Sequence, residues 1–286
     1  MRLVSFSTMK DPAWGILIDG GVVSSDQLGG DLPASLMDLL QDAARWQALT
    51  KDWSKLTEGV KPVPLSEVKL LPCVPNPGKI ICLGVNYIDH AKEGGNQIGD
   101  YPALFLRCAT SLQSHGAPLQ VSKVSSKFDF EAELAVVIGK RARFVSQSDA
   151  LDCVFGYSCF NDATFRDYQR KTTQWTIGKN FDATGAFGPC LVTADELPAG
   201  ASGLRLQSRL NGEVMQSADT ANMAFGVART IELLSQSLTL EPGDVVVMGT
   251  PGGVGYARTP PVWMKAGDTI EIEIEKIGIL SNPVTD

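Results

Sequence analysis

Phe128-Asp129-Phe130-Glu131-Ala132-Glu133-Leu134-Ala135-Val136-Val137-Ile138 is the stretch that decides how this chain folds. Its second half is apolar and β-branched, so it reads as a strand whose side chains alternate between two faces. Glu131 and Glu133 then share one face, with Asp129 beside them. Like charges stacked on so apolar a strand repel one another, and burying them is costly. A hard divalent cation with oxygen ligands, such as Mg²⁺, removes that conflict. A solvated strand face carrying alternate charges is the plainer alternative.

Short strands continue on both sides: Ile80–Leu83, Ala103–Leu106, Cys153–Cys159, Leu204–Leu210, Asp244–Met248 and Thr269–Glu275. Few helical stretches interrupt them, chiefly Asp162–Lys171 and Ala224–Ser237. Strict β–α alternation is missing, so the class is α+β and strand-dominated. Upstream, Leu3–Phe6, Gly15–Ile18 and Gly21–Val23 read as strands and Ser35–Ala48 as a helix. A run of prolines, Leu71-Pro-Cys-Val-Pro-Asn-Pro-Gly78, follows. The expected division is a small N-terminal domain over 1–72 and a catalytic domain over 73–286.

Bulk composition narrows the function classes. Against 25 basic residues stand 32 acidic ones, a formal net charge of −7, with no Lys/Arg cluster; nucleic acid is not an expected partner. No apolar run reaches membrane-spanning length and no secretory signal opens the chain, so no membrane association and a cytoplasmic location are expected. The 6 cysteines show no Cys-x-x-Cys spacing and have mostly apolar neighbours, which fits reduced core thiols.

Three further segments carry chemistry. In Gly84-Val-Asn-Tyr-Ile-Asp-His-Ala-Lys-Glu93, His90 and Glu93 stand one helical turn apart, and the carboxylate can orient the imidazole as a general base. The chain's other histidine, His115, reads as a turn residue. In Asn161-Asp-Ala-Thr-Phe-Arg-Asp-Tyr-Gln169, a helix opening near Asp162 places Arg166 and Gln169 on one face, available to a carboxylate and a substrate oxygen. An exposed amphipathic helix capped by aspartate explains the pattern equally well. Lys179 lies among Trp175, Ile177 and Phe181, where an ammonium can be desolvated or set beside an anion. Gly249-Thr-Pro-Gly-Gly-Val-Gly255 follows a strand but opens no helix, so it is not a dinucleotide loop. Its amides and the Thr250 hydroxyl could contact a small anion, or the segment could simply be a turn.

Taken together, five blocks in order resemble the fumarylacetoacetate hydrolase family: Ile81-Cys-Leu-Gly-Val-Asn-Tyr-Ile-Asp-His-Ala-Lys-Glu93, the Phe128–Lys140 stretch, Asn161–Gln169, Gly178-Lys-Asn-Phe-Asp182 and Pro242–Gly255. The resemblance implies a mixed β-roll catalytic domain, usually dimeric, with a small keto acid as substrate. It implies Mg²⁺ or Mn²⁺ on Glu131, Glu133 and Asp162. His90 and Glu93 match the family's water-activating pair, Lys179 its active-site lysine, and Arg166, Gln169 and Thr250 its substrate contacts. Phe165 and Arg107 depart from the common pattern and suggest an altered pocket rim. The leading expectation is metal-dependent hydrolysis of a carbon–carbon bond in a β-diketo acid of the acylpyruvate type. Oxaloacetate decarboxylation, or isomerisation or hydration of a keto acid, is the alternative on the same scaffold. A Mg²⁺-dependent small-anion binding protein is the non-enzymatic one.

Overall fold

The Phe128–Ile138 stretch forms two strands, Phe128–Asp129 and Ala132–Ile138, with the chain leaving the ladder at Phe130 and Glu131. This is seen in a computed structural model that describes every residue of 1–286 except Met9, Lys10, Asp11, Gly30 and Asn96. Ala132–Ile138 is buried along its whole length because both of its faces are covered. Leu134, Val136 and Ile138 enter one apolar cluster, while Ala135 and Val137 enter a second. A strand covered on both sides needs this near-continuous apolar run.

That strand sits inside an 11-stranded sheet. It pairs antiparallel with Val154–Asp162 on one side and with Val245–Val247 on the other. The sheet continues through Val245–Val247 to Ile80–Gly84, a parallel pair, and ends at Ala103–Arg107. In the other direction Val154–Asp162 pairs with Gly185–Thr193, which pairs with Arg2–Ser7. A 5-stranded sheet, built on Arg205–Leu210, Glu213–Asp219, Thr269–Ile274 and Gly278–Thr285, closes over one face. The α+β class with large mixed sheets is borne out.

Helices are few. Ala43–Thr57 is the longest and lays Trp46 edge-on against Phe155, ring centres 5.1 Å apart. The helix expected from Asp162 does not form there. The strand Val154–Asp162 runs on, Asp162 pairing with Gly185, and the helix is a single turn, Arg166–Gln169. The ladder hydrogen bonds available to Asn161 and Asp162 outweigh the capping tendency of an aspartate. Phe165 is no rim residue: it is fully buried, stacked on Phe128 at 4.5 Å. All six cysteines are free thiols, five of them buried and Cys108 exposed. No helix among the described residues is long and apolar enough to cross a membrane.

Candidate active site

Glu131, Glu133 and Asp162 meet where two neighbouring strands end. Asp162 N–H donates to the Glu131 carbonyl at 3.0 Å, which sets the two residues side by side across the ladder. Glu133 lies two positions further along the same face as Glu131. The three carboxylates are buried, and one oxygen from each lies within 4.8 Å of the others.

Cations surround two of the three. Lys179 Nζ donates to Glu131 Oε2 and to Asp162 Oδ2, both at 2.6 Å. Arg166 Nη2 faces Glu131 Oε1 at 2.7 Å, and its Nε donates to Asp129 Oδ2 at the same distance. Arg107, expected at the rim, is instead buried beneath Asp162: it pairs with that carboxylate and donates to Ser111 Oγ and Thr184 Oγ1. The planar guanidinium reaches all three at once. Burial works against the charge on Glu131, but Arg166 and Lys179 outweigh it and hold its carboxyl below the usual range. Burial works likewise against the Lys179 ammonium, and Asp162 and Glu131 keep its pKa raised. Both carboxylates thus favour the charged ammonium of Lys179 over the free amine.

Glu133 differs. It pairs with no cation among the described residues, and its close partner is the Gly249 N–H at 2.5 Å. Burial, and then the charges of Asp162 and Glu131, push its pKa well up. An all-oxygen cluster holding one buried carboxylate with no countercharge suits a divalent ion such as Mg²⁺ or Mn²⁺. The donor set fits.

Above the carboxylates lies a cavity of about 390 Å³, lined among others by His90, Arg166, Gln169, Trp175, Lys179 and Thr250. His90 Nδ1 faces Glu93 Oε2 at 3.4 Å across one helical turn, as the spacing suggested. Both side chains stand at the solvent side, 12% and 22% exposed, where water can reach them. Gln169 Oε1 accepts from Arg166 Nη1 at 3.0 Å. Val85, a β-branched residue in the cavity wall, is held at φ 58°, a strained conformation of the kind that gathers at functional sites.

The glycine-rich segment corrects one expectation. Its amides do bind anions, but the anions are the protein's own carboxylates. Gly249 N–H donates to Glu133, Gly253 N–H to Glu93 at 3.0 Å, and Gly255 and Tyr256 N–H to Asp129 at 2.8 and 3.1 Å. A side chain at Gly255 would collide with Asp129, so only glycine permits this approach. Thr250 lines the cavity but spends its hydroxyl on the Ala132 carbonyl at 3.0 Å.

Two organising residues escaped the sequence reading. Asp129 is fully buried and ties Arg166 to the Gly255–Tyr256 turn. Its place beside Glu131 was visible, but its partners lie far along the chain. Gln216, from the smaller sheet, donates to Thr250 Oγ1 and the Pro251 carbonyl and accepts from Ala132 N–H. It sits in a polar-looking strand, Glu213–Asp219, and no local signal distinguishes it from a surface glutamine.

Comparison with known proteins agrees with this geometry. Residues 79–285 match the family model for the fumarylacetoacetate hydrolase C-terminal region. The chain is 38% identical over 290 residues to "Oxaloacetate tautomerase fahd2, mitochondrial" of Xenopus laevis, spanning 99% of this chain and 90% of that protein. It is 40% identical over 263 residues to "Oxaloacetate tautomerase YisK" of Bacillus subtilis, spanning 88% and 87%. Among solved structures, the maleylpyruvate hydrolase of Sphingobium sp. SYK-6, in complex with manganese(II) and pyruvate, superposes with a TM-score of 0.81 at 30% identity, covering 100% of this chain and 99% of that one. With its matching sequence blocks, its sheet architecture and its acidic cluster all of one kind, the chain belongs to the fumarylacetoacetate hydrolase family.

Proposed function

We propose that this protein is a divalent-metal-dependent enzyme of small α-keto acids and that it interconverts the keto and enol forms of oxaloacetate. The observation that carries the proposal is the meeting of three parts in one small cavity: a buried acidic cluster with an unbalanced carboxylate, an ammonium beside it, and a histidine at the mouth. The cavity is at the small end of ligand sites, roughly 300–1,000 Å³, which suits a four-carbon acid. Near full-length relatives named as oxaloacetate tautomerases support this choice over hydrolysis.

Glu131, Glu133 and Asp162 would hold Mg²⁺ or Mn²⁺, which would supply Lewis acidity at the keto-acid oxygens. The protein's own residues do the rest. Glu93, anchored by the Gly253 amide, engages His90 Nδ1 and leaves Nε2 for the substrate. His90 takes a proton from the carbon between the ketone and the distal carboxylate and, as imidazolium, gives it to the former ketone oxygen directly or through a water. In the opposite direction it takes the enol O–H proton and returns it to that carbon. Lys179 commits two of its three N–H donors to Glu131 and Asp162, and the third can meet the oxygen that gains charge as the enolate forms. Arg166 is locked in place by Asp129 and Glu131, so it orients Gln169 in the cavity wall without itself moving.

Hydrolysis of an acylpyruvate is the second reading, favoured by the access of water to His90 and Glu93 and by the likeness to a maleylpyruvate hydrolase. The test mixes enol oxaloacetate with the Mg²⁺- or Mn²⁺-loaded protein and follows both the enol absorbance and the products. Faster loss of enol with no new product is expected. Decay at the uncatalysed rate, together with release of a carboxylic acid from an acylpyruvate panel, would replace this reading with the second.

A further inference from the structure

Two residues of the cavity wall, Arg170 and Tyr256, have no part in the chemistry above. The guanidinium carbon of Arg166 lies 4.5 Å from the centre of the Tyr256 ring, and that of Arg170 lies 4.6 Å from it. One phenol ring thus braces two guanidinium groups, but their situations differ. Arg166 is buried and paired with Asp129, Glu131 and Gln169. Arg170 is exposed and forms no ion pair with any carboxylate among the described residues; its backbone N–H caps the turn by donating to the Arg166 carbonyl.

The other cavity cations are committed. Lys179 bridges Glu131 and Asp162, and Arg166 bridges Asp129 and Glu131. The nearest acidic side chain on its own turn, Asp167, accepts from Ser125 Oγ at 2.6 Å. Arg170 is left as the cavity's cation without a countercharge. Its planar fork of N–H donors matches a carboxylate. Stacking on Tyr256 restricts the side chain beforehand, so less freedom is lost when a ligand arrives.

We propose that Arg170, braced by Tyr256, forms the subsite for the second carboxylate of a dicarboxylic keto acid and sets a preference for dicarboxylates over monocarboxylic keto acids. The substrate class rests on the oxaloacetate reading; the subsite rests on the unmatched cation in the wall. The α-keto acid end of the ligand would occupy the acidic-cluster side, and the distal carboxylate would complete the charge balance at Arg170.

The test is calorimetric titration of the Mg²⁺-loaded protein with freshly dissolved oxaloacetate and, separately, with pyruvate. These share the keto acid end and differ in the second carboxylate. Wild type is expected to favour oxaloacetate by about tenfold or more, as a charge-assisted contact allows. Arg170→Gln should remove that advantage and leave pyruvate affinity where it was, and Arg170→Lys should keep part of it. Tyr256→Leu should weaken oxaloacetate selectively. In turnover, Arg170→Gln should raise KM by a larger factor than it lowers kcat. The proposal is overturned by a wild type without dicarboxylate preference, by an unchanged ratio in Arg170→Gln, or by equal loss for both ligands. A wild type that prefers oxaloacetate but does not tautomerise it would refute the activity and leave the subsite standing.

Discussion

Burying the Glu133 carboxylate costs free energy, and a single backbone N–H from Gly249 offsets only part of it. Burial and the neighbouring Asp162 and Glu131 charges hold its pKa well above the ordinary value, so the metal-free site keeps a proton there to higher pH than a free carboxylate does. A divalent ion must displace that proton. Metal affinity is therefore expected to rise with pH, by up to about tenfold per unit where one proton is released, and to fall as the medium is acidified. Mn²⁺ titrations followed by electron paramagnetic resonance across the protein's stable pH range check this; a flat profile would contradict it. At the cavity mouth, His90→Gln is expected to lower kcat about a hundredfold or more while leaving Mn²⁺ affinity unchanged. Loss of metal binding in that variant would mean that His90 holds the site together and does not transfer protons. At this scale the sequence was informative. The Glu131 and Glu133 carboxylates do lie together, although Glu131 falls just before the strand that carries Glu133, and His90 does face Glu93 across a helical turn.

Between elements, the segment Gly249–Tyr256 works as a clasp. Its amides engage Glu133, Glu93 and Asp129, which belong to three different elements on two stretches of chain. Gln216 fastens the clasp to the strand that carries Glu133, through Thr250, Pro251 and the Ala132 N–H. Gln216→Leu would strand the Ala132 N–H and the Pro251 carbonyl in a buried setting. A stability loss of about 3 kcal/mol is expected, at roughly 1–3 kcal/mol for each unsatisfied group. Urea unfolding measures it, and a loss under about 0.5 kcal/mol, the scale of an ordinary surface change, would show that the clasp holds without Gln216. The glycine spacing alone left an anion cradle and a plain turn equally open. That the anions would be internal carboxylates could not be read from it, because Asp129 and Gly255 become neighbours only when the sheet is assembled.

For the molecule as a whole, the N-terminal strands extend the main sheet through the pairing of Arg2–Ser7 with Gly185–Thr193. Trp14, Leu39 and Trp46 share an apolar cluster with Phe155, Phe187 and Val247. We propose that residues 1–72 form a small domain that covers this face of the 73–286 domain. A 73–286 fragment would expose buried Phe155 and Phe187 and is expected to aggregate; a monodisperse, folded fragment would refute the docking role. At the opposite end of the sheet, Ala103–Arg107 is an edge strand with Leu104 and Leu106 38% and 56% exposed, near Tyr101 and Ile177, also exposed. An apolar edge of this kind calls for a partner surface, and we propose a homodimer formed there. Leu106→Glu is expected to convert it to monomer in light scattering, whereas a wild-type monomer at micromolar concentration would refute the dimer.

Strand periodicity and short-range spacing sufficed to set the α+β class, the Glu131–Glu133 pair and the His90–Glu93 pair, because each depends on residues a few positions apart; Asp162 joined the carboxylates only through the family resemblance. The sheet decided the rest. Asp162 stayed in a strand because ladder partners were available, and Arg107 went beneath Asp162 because its fork could satisfy three acceptors there. Arg170 was left as the cavity cation without a carboxylate among the described residues because the other charges found partners from distant segments. Charge pairing between residues far apart in the chain is a property of the assembled fold, and local spacing carries no record of it.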